Sequence, residues 1–339
     1  MSKTAAVALS GGVDSAAAAL LLKSRGFRVI GVTAFLSGNE DICAARRAAA
    51  EIGIEHRVFR LEKEFERKVI DNFRAEYARG RTPNPCVRCN RHIKFGLLRA
   101  RALSLGPDYF ATGHYAKIEN GRLKKAADSG KDQSYFLYSL APESLKNTLF
   151  PLGGYTKEEV RRFVSAAGLS VSSGKESQDV CFVPDGDYRS FLASVPGCGC
   201  LPGEFVDTGG KVLGRHKGVS FYTVGQRQGL GISSGRPLYV KEVDARRNRV
   251  VLGGRQEVLA AAFIVYNPSF PGGPLKKKVV LNVKIRYNHT EQPAEITPSG
   301  NTLKIVFRFP QFAVTPGQSA VIYRGDVVVG GGIIRKVLD

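Results

Sequence analysis

The 339-residue chain contains no apolar run near the ~18 to 20 residues that a membrane-spanning helix needs. Its opening Met-Ser-Lys-Thr passes straight into a strand-like segment with no room for a charged and then apolar leader, so a cytoplasmic protein without membrane association is expected. There is no internal repeat and no low-complexity tract, which excludes a solenoid or a compositionally biased scaffold. Acidic residues are scarce: 30 Asp and Glu stand against 50 Lys and Arg, a formal net charge of +20. An enzyme handling only ATP and a small molecule has no need of that imbalance, which calls instead for a polyanionic partner. The window from Arg79 to Arg101 concentrates it, with Arg79, Arg81, Arg88, Arg91, Lys94, Arg99 and Arg101 and no Asp or Glu. Cysteine is sparse and uneven, at Cys43, Cys86, Cys89, Cys181, Cys198 and Cys200. In a cytoplasmic chain such thiols point to catalysis or metal binding rather than to a disulfide framework.

What is present is organised around Ala5 to Leu22, AAVALSGGVDSAAAALLL, an apolar run broken at Ser10-Gly11-Gly12-Val13-Asp14-Ser15. It reads as strand, tight loop and helix. Adjacent glycines permit positive φ and close backbone approach, so the loop amides and the following helix N-terminus face an anion, with the hydroxyls of Ser10 and Ser15 as further donors. The loop has no lysine and lacks the G-x-x-x-x-G-K-[ST] spacing, which excludes a Walker A loop.

Strand and helix patterns then alternate. Phe27 to Phe35 and Val58 to Leu61 read as strands; Ile42 to Ile52 and Glu62 to Arg79 read as helices. Pro83 and Pro85 hold Asn84 in an extended turn that presents Cys86 and Cys89, ahead of a helix from Ile93 to Leu105. Asp108 to His114 is a strand ending in Gly113-His114, YFLYSL after Lys131-Asp132-Gln133-Ser134 reads as a helix, and Thr156 to Ala167 is a helix with a Thr156–Glu159 capping box. The alternation predicts an α/β fold, a doubly wound parallel sheet with its ligand at the strands' carboxyl ends. From Gly197 the texture changes to short strands punctuated by Gly, Asn and Pro, and after PSFPGGP about six alternating strands suggest a barrel or sandwich. Three domains are expected: 1–196 catalytic, 197–265 small and β-rich, and 266–339 a β-barrel.

The opening loop resembles the SGG-x-DS pyrophosphate loop of ATP pyrophosphatases. With TPNPCVRCNRHIKF, ATGHYA, KDQSYFLY, FPLGGYTKEEVR, SQDVCFV, GRHKGVSFYTVGQRQGLGI, KIRY and TPGQSAV in order, nearly the whole chain resembles the tRNA-specific 2-thiouridylase family. The resemblance implies an ATP pyrophosphatase domain, a small central domain and a C-terminal barrel, and the replacement of the 2-oxygen of the tRNA wobble uridine by sulfur. ATP, helped by Mg²⁺, would adenylate that oxygen, with AMP and pyrophosphate as products. Sulfur would come from a persulfide donor, a cysteine desulfurase or a relay protein.

By the same resemblance, Ala8, Leu9, Ser10, Gly11, Gly12, Val13, Asp14, Ser15, Ala34 and Gly113 would bind ATP, with Ala34 offering adenine a smaller surface than the family's usual Met or Leu. Asn84, Pro85 and Cys86 would border the target base. His114, Lys131, Asp132, Gln133, Arg286, Tyr287 and Gln318 would touch tRNA. Cys181 would carry the persulfide and Cys89 would be the partner thiol, forming a disulfide with it as the sulfur is released. Arg88, Arg91 and Lys94 should favour their ionised form. Cys86 departs from members with aspartate there, and three thiols raise a second hypothesis, a [4Fe-4S] cluster on Cys86, Cys89 and Cys181. Cys43, Cys198 and Cys200 stay unassigned. The rival readings are another ATP pyrophosphatase, such as a GMP synthetase type, and a non-catalytic tRNA-binding protein that senses nucleotide.

Overall fold

The computed structural model describes residues 2–38, 40–173, 180–183, 186–195 and 197–338. Its N-terminal unit alternates as its periodicity requires: β1 (Thr4–Ala8), α1 (Val13–Ser24), β2 (Arg28–Phe35), α2 (Ile42–Ile52), β3 (Glu55–Arg60), a helix α3 over 62–78 and a helix α4 over 85–103. There follow β4 (Tyr109–Ala111), a hairpin of β5 (Lys117–Glu119) and β6 (Arg122–Lys124), α5 (Pro142–Lys146), β7 (Thr148–Leu149), α6 (Lys157–Ala166) and α7 (Tyr188–Ala193). The sheet runs β3-β2-β1-β4-β7 with every pair parallel. Order reverses at β1, whose neighbours are β2 and β4, so the crevice beyond the carboxyl ends of β1 and β4 is the topological switch point. Apolar strands such as β1, with Ala5, Ala6 and Val7 fully buried, fit a sheet covered on both faces.

Two local expectations are corrected. Asn84 is extended as expected, but Cys86 and Cys89 lie on a helix that starts already at Pro85 and not at Ile93: proline at its first position is preset for helical φ, and Asn84 Oδ1 caps it by accepting from the Val87 amide at 3.3 Å. Within α4, Cys89–Leu98 widens to π-helical pairing. The segment after Lys131 makes a single 3₁₀ turn, Ser134–Phe136, because its aromatic residues pack singly into the core rather than along one helical face.

The middle unit is a four-stranded sheet of β8 (Gly203–Asp207), β9 (Val212–His216), β10 (Tyr239–Asp244) and β11 (Arg249–Gly253). The last six strands are β12 (Leu259–Ser269), β13 (Val279–Lys284), β14 (Gln292–Ser299), β15 (Thr302–Phe312), β16 (Ser319–Arg324) and β17 (Val327–Leu338). They close into an antiparallel barrel through β12 pairing with β17. The expected division at 265/266 falls inside β12. The other expected division falls at Pro196, outside the described residues. The β5–β6 hairpin of the first unit joins the barrel edge at Val327 and Lys124. No helix among the described residues is long and apolar enough to cross a membrane.

The barrel is seated firmly on the first unit. Val321, Tyr323 and Val328 belong to the same buried cluster as Phe95, Phe110 and Tyr135. The hydroxyl of Tyr135 donates to the Ser319 carbonyl at 2.8 Å. Thr82, four residues before Cys86, is where all three units meet. Its amide donates to the Pro316 carbonyl at 2.9 Å, its carbonyl accepts from Gln318 Nε2 at 2.9 Å, and its hydroxyl lies 3.0 Å from that of Thr223. Gly317 lies against it with φ +95°, and a Cβ there would stand 2.8 to 2.9 Å from the Thr82 backbone. Gly317→Ala should therefore destabilise the whole protein by about 1–3 kcal/mol, read as a lowered denaturation midpoint in urea. A midpoint equal to that of the unsubstituted protein would show that the junction yields without cost.

Candidate active site

Apolar β1 delivers the chain to the switch point, and glycine lets it turn there. Gly11 holds φ +81°, and a Cβ on it would reach within 2.8 Å of Ala44 Cβ, so α2 leaves room for hydrogen alone. Leu9 is buried; its amide donates to the Val32 carbonyl at 2.8 Å and its own carbonyl accepts from Thr33 Oγ1 at 2.7 Å. Ala8 pairs with Val32, and Ala34 lies half-buried near the end of β2. The Ser15 hydroxyl turns inward, accepting from the Ser10 amide at 3.1 Å and donating to the Gly12 carbonyl at 2.9 Å. It braces the loop instead of facing an anion, which corrects the expectation of a second free hydroxyl donor. Gly12 caps α1, and the helix begins at Val13.

Gly113, after β4, is pressed on this loop. A Cβ at Gly113 would lie 2.7 Å from the Asp14 carbonyl carbon and oxygen and 2.9 Å from the Ser15 nitrogen. His114 comes next, its Nδ1 2.8 Å from Thr112 Oγ1 and its ring 5.7 Å from that of Phe95 on α4. Burial, then the charge of Lys94, holds its imidazole well below the usual histidine range, so it is neutral.

Phe95 belongs to the helix that carries two of the thiols. Cys86 and Cys89 are one turn apart on α4. Cys181 is anchored by the two residues after it, for Phe182 and Val183 are buried, with Phe182 edge-on to Phe65 at 5.7 Å and to Phe73 at 5.2 Å. The preceding residues of the SQDVCFV match, Ser177, Gln178 and Asp179, lie outside the described residues. Cys86 and Cys181 keep accessible surface although protein surrounds them closely enough for desolvation to dominate, as in a concave site. Burial pushes the Cys89 thiol up to about 12, with Lys94 opposing and Cys181, Cys86 and Glu40 adding to the rise. Burial likewise raises Cys86 and Cys181, again against the pull of Lys94.

The expected ionised thiolates are therefore corrected: desolvation outweighs the nearby cation at all three sulfurs. Arg88 and Arg91 face elsewhere. Arg88 Nε donates to the Lys68 carbonyl at 2.9 Å, and burial followed by Arg88, Arg91 and Lys68 drives His92 down to about 4. Among the described residues no group of three or more His, Cys, Asp or Glu is placed to hold a metal ion. Cys86, Cys89 and Cys181 share one electrostatic field, and no ligand group among the described residues supports the [4Fe-4S] hypothesis. Cys43 is exposed, Cys198 buried and Cys200 half-buried, and none joins such a group.

The remaining expected residues fall around this centre in different ways. Asn84 and Pro85 start α4 beside Cys86. Asp132 is buried, its carboxylate accepting from the amides of Ala126 and Ser134 and from the Ser134 hydroxyl. Gln133 Oε1 accepts from the Tyr115 amide at 3.0 Å, and Lys131 is half-buried in the same loop. The Tyr287 ring packs at a tilt against that of Phe136, with centroids 4.7 Å apart, Arg286 donates to the Phe312 carbonyl at 2.7 Å, and Gln318 is held by Thr82. These barrel side chains bind protein across or near the unit junctions. Sequence reasoning missed Lys157, whose Nζ donates to Asp14 Oδ1 at 2.6 Å, and Tyr115, whose hydroxyl donates to the same oxygen at 3.0 Å. Nothing in the local sequence of Lys157 signals a partner 143 residues away.

Comparison with known proteins agrees along the whole chain. Residues 3–185 match the family model described as a tRNA methyl transferase HUP domain, 190–254 a tRNA methyl transferase PRC-barrel domain, and 260–334 an aminomethyltransferase β-barrel domain. A tRNA-specific 2-thiouridylase of Geobacter metallireducens is 47% identical over 99% of this chain and 98% of its own length. One from Halothermothrix orenii is 48% identical over 97% of this chain and 98% of its own. A third, from Clostridium acetobutylicum, is 44% identical over 99% of this chain and its full length.

The raised thiol has a direct chemical signature. Only the thiolate alkylates, so Cys89 in the resting protein should react with iodoacetamide at a rate that is low at neutral pH and still climbs above pH 10, whereas an ordinary thiol levels off above about pH 9. Peptide mass spectrometry against pH measures it; a plateau below pH 9 would contradict the burial argument.

Proposed function

This chain belongs to the tRNA-specific 2-thiouridylase family, and on that premise we propose how its site divides the reaction. It is an ATP-dependent sulfurtransferase that makes 2-thiouridine in tRNA. A uracil carbonyl oxygen is a very poor leaving group, so the oxygen is first made part of a good one. The uridine O2 bonds to the α-phosphorus of ATP, the bond from that phosphorus to the bridging oxygen breaks, and pyrophosphate leaves with the electron pair. The Ser10 to Ser15 loop at the end of β1 holds the phosphates with backbone amides and the α1 N-terminus, and Mg²⁺ would be carried by the nucleotide's own phosphates.

Sulfur delivery falls to Cys181 and Cys89. A donor of the cysteine desulfurase or relay class loads Cys181 as a persulfide. The terminal sulfur attacks C2 and AMP departs with the old oxygen, leaving the base joined to Cys181 through a sulfur–sulfur bond. Cys89 then attacks the Cys181 sulfur. That bond breaks with its electron pair going to the sulfur on C2, which becomes the thiocarbonyl, and a Cys89–Cys181 disulfide remains for a dithiol reductant to reset. Cys86, Asn84 and Pro85 line the pocket of an unstacked base, and the basic Arg79 to Arg101 window supplies salt-dependent affinity for the anticodon arm in the cytoplasm.

The observation that best supports this reading is that one cation, Lys94, acts on Cys86, Cys89 and Cys181 and also on His114, which follows the Gly113 pressed on the anion loop. Incubation with unmodified tRNA, ATP and a persulfide donor, followed by nucleoside analysis, should yield 2-thiouridine. Cys181→Ser and Cys89→Ser should each lower that yield by at least a hundredfold while tRNA-dependent AMP formation or ATP–pyrophosphate exchange persists. Full thiolation by Cys181→Ser would remove the persulfide role of Cys181, whereas ATP turnover left intact by Cys181→Ser, with no 2-thiouridine formed, would favour an ATP pyrophosphatase of another type. Binding of tRNA without any AMP release from the unsubstituted protein would favour a nucleotide-sensing binding protein.

A further inference from the structure

The phosphate loop lacks the cation that a triphosphate usually meets, and it carries a carboxylate at Asp14 in the first turn of α1. A negative side chain there competes with a phosphate for the same helix N-terminal field. The fold answers this from a distant part of the chain. Lys157 is the first residue of α6, which the Thr156–Glu159 capping box fixes, and its amide is anchored by Asp128 Oδ2 at 2.9 Å. Its side chain is only 9% exposed, and its ammonium lies 2.6 Å from Asp14 Oδ1, beside the Tyr115 ring at 5.9 Å from the centroid. A buried ammonium at the mouth of an anion loop calls for an anionic partner. Asp14 is such a partner.

We propose that Lys157 is the catalytic cation of the adenylation half-reaction: when ATP is bound, its ammonium reaches from Asp14 to the β-phosphate and neutralises the charge that grows on pyrophosphate as the α-phosphorus bond breaks. No proton moves in this step; the ammonium keeps its three hydrogens and exchanges one oxygen partner for another. Asp14 is the placeholder that holds the cation ready and prevents it from turning to solvent. This inference rests on the ATP-cleaving role proposed above, and the two fail separately.

The test compares Lys157→Met, Lys157→Gln and Lys157→Arg in the full-length protein with tRNA and ATP. In Lys157→Met, kcat for AMP formation should fall about 10²–10³-fold. Inhibition by added pyrophosphate should weaken at least tenfold, while inhibition by AMP stays within twofold and tRNA affinity is unchanged. Lys157→Gln keeps a hydrogen-bond donor for Asp14 without charge, so it separates structure from charge and should behave like Lys157→Met; it also stands in if the methionine variant does not fold. Lys157→Arg should recover to within about tenfold of the unsubstituted protein. Pyrophosphate inhibition unchanged in the uncharged variants would overturn the proposal, as would parallel loss of AMP and pyrophosphate inhibition, which marks a purely structural lysine. If the unsubstituted protein forms no AMP, the reading of the reaction falls instead.

Discussion

The contact between Gly113 and the peptide of Asp14 and Ser15 is the constraint on which the rest of the site depends. Because Gly113 has no side chain, the end of β4 lies directly on the first turn of α1. That closeness brings His114 beside the loop, His114 meets Phe95, and Phe95 belongs to the helix that carries Cys86 and Cys89. A larger residue at 113 would move β4 off the loop and carry the thiol helix away with it. The phosphate and sulfur halves of the reaction are thus joined by backbone and ring packing, whose positions are set by sterics and are insensitive to salt.

The two halves ask for opposite environments. An anion loop works by exposed amides and positive charge, whereas the thiols sit where protein has displaced water, and their proton is held more tightly than in a free cysteine. A protonated thiol is a weak nucleophile, so the resting site is chemically quiet toward stray oxidants and disulfides. Lys94 is the cation that opposes burial at all three sulfurs, and its influence is available once a reaction partner changes the balance of charge around it.

The sequence makes the local parts of this legible. SGGVDS between an apolar strand and an alanine-rich helix marks the loop, strand–helix alternation marks the parallel sheet, and the Thr156–Glu159 spacing marks a helix start, because each signal is written in neighbouring residues. The Pro83–Pro85 stretch misleads in detail, since a proline that ends one helix is equally suited to begin the next. Burial of the thiols is not legible, because counting Arg88, Arg91 and Lys94 near Cys89 along the chain says nothing of which way each points; Arg88 turns to Lys68, and of these three it is Lys94 whose charge acts on the sulfurs among the described residues. The Lys157–Asp14 pair is beyond sequence reasoning for the same reason, being created by the docking of α6 on α1.

Thr82 shows that boundaries of composition need not be boundaries of cooperativity. The change of texture near residue 197 invites a view of three modules in which a trimmed catalytic portion could stand alone. Yet the barrel and the middle unit satisfy an amide, a carbonyl and a hydroxyl of Thr82, four residues before Cys86. Cutting the barrel away would leave those backbone groups without partners at the root of the thiol-bearing helix, at the cost that orphaned polar groups carry. A shortened version of this protein would therefore differ from the whole where its chemistry resides, and not merely at its RNA-facing end.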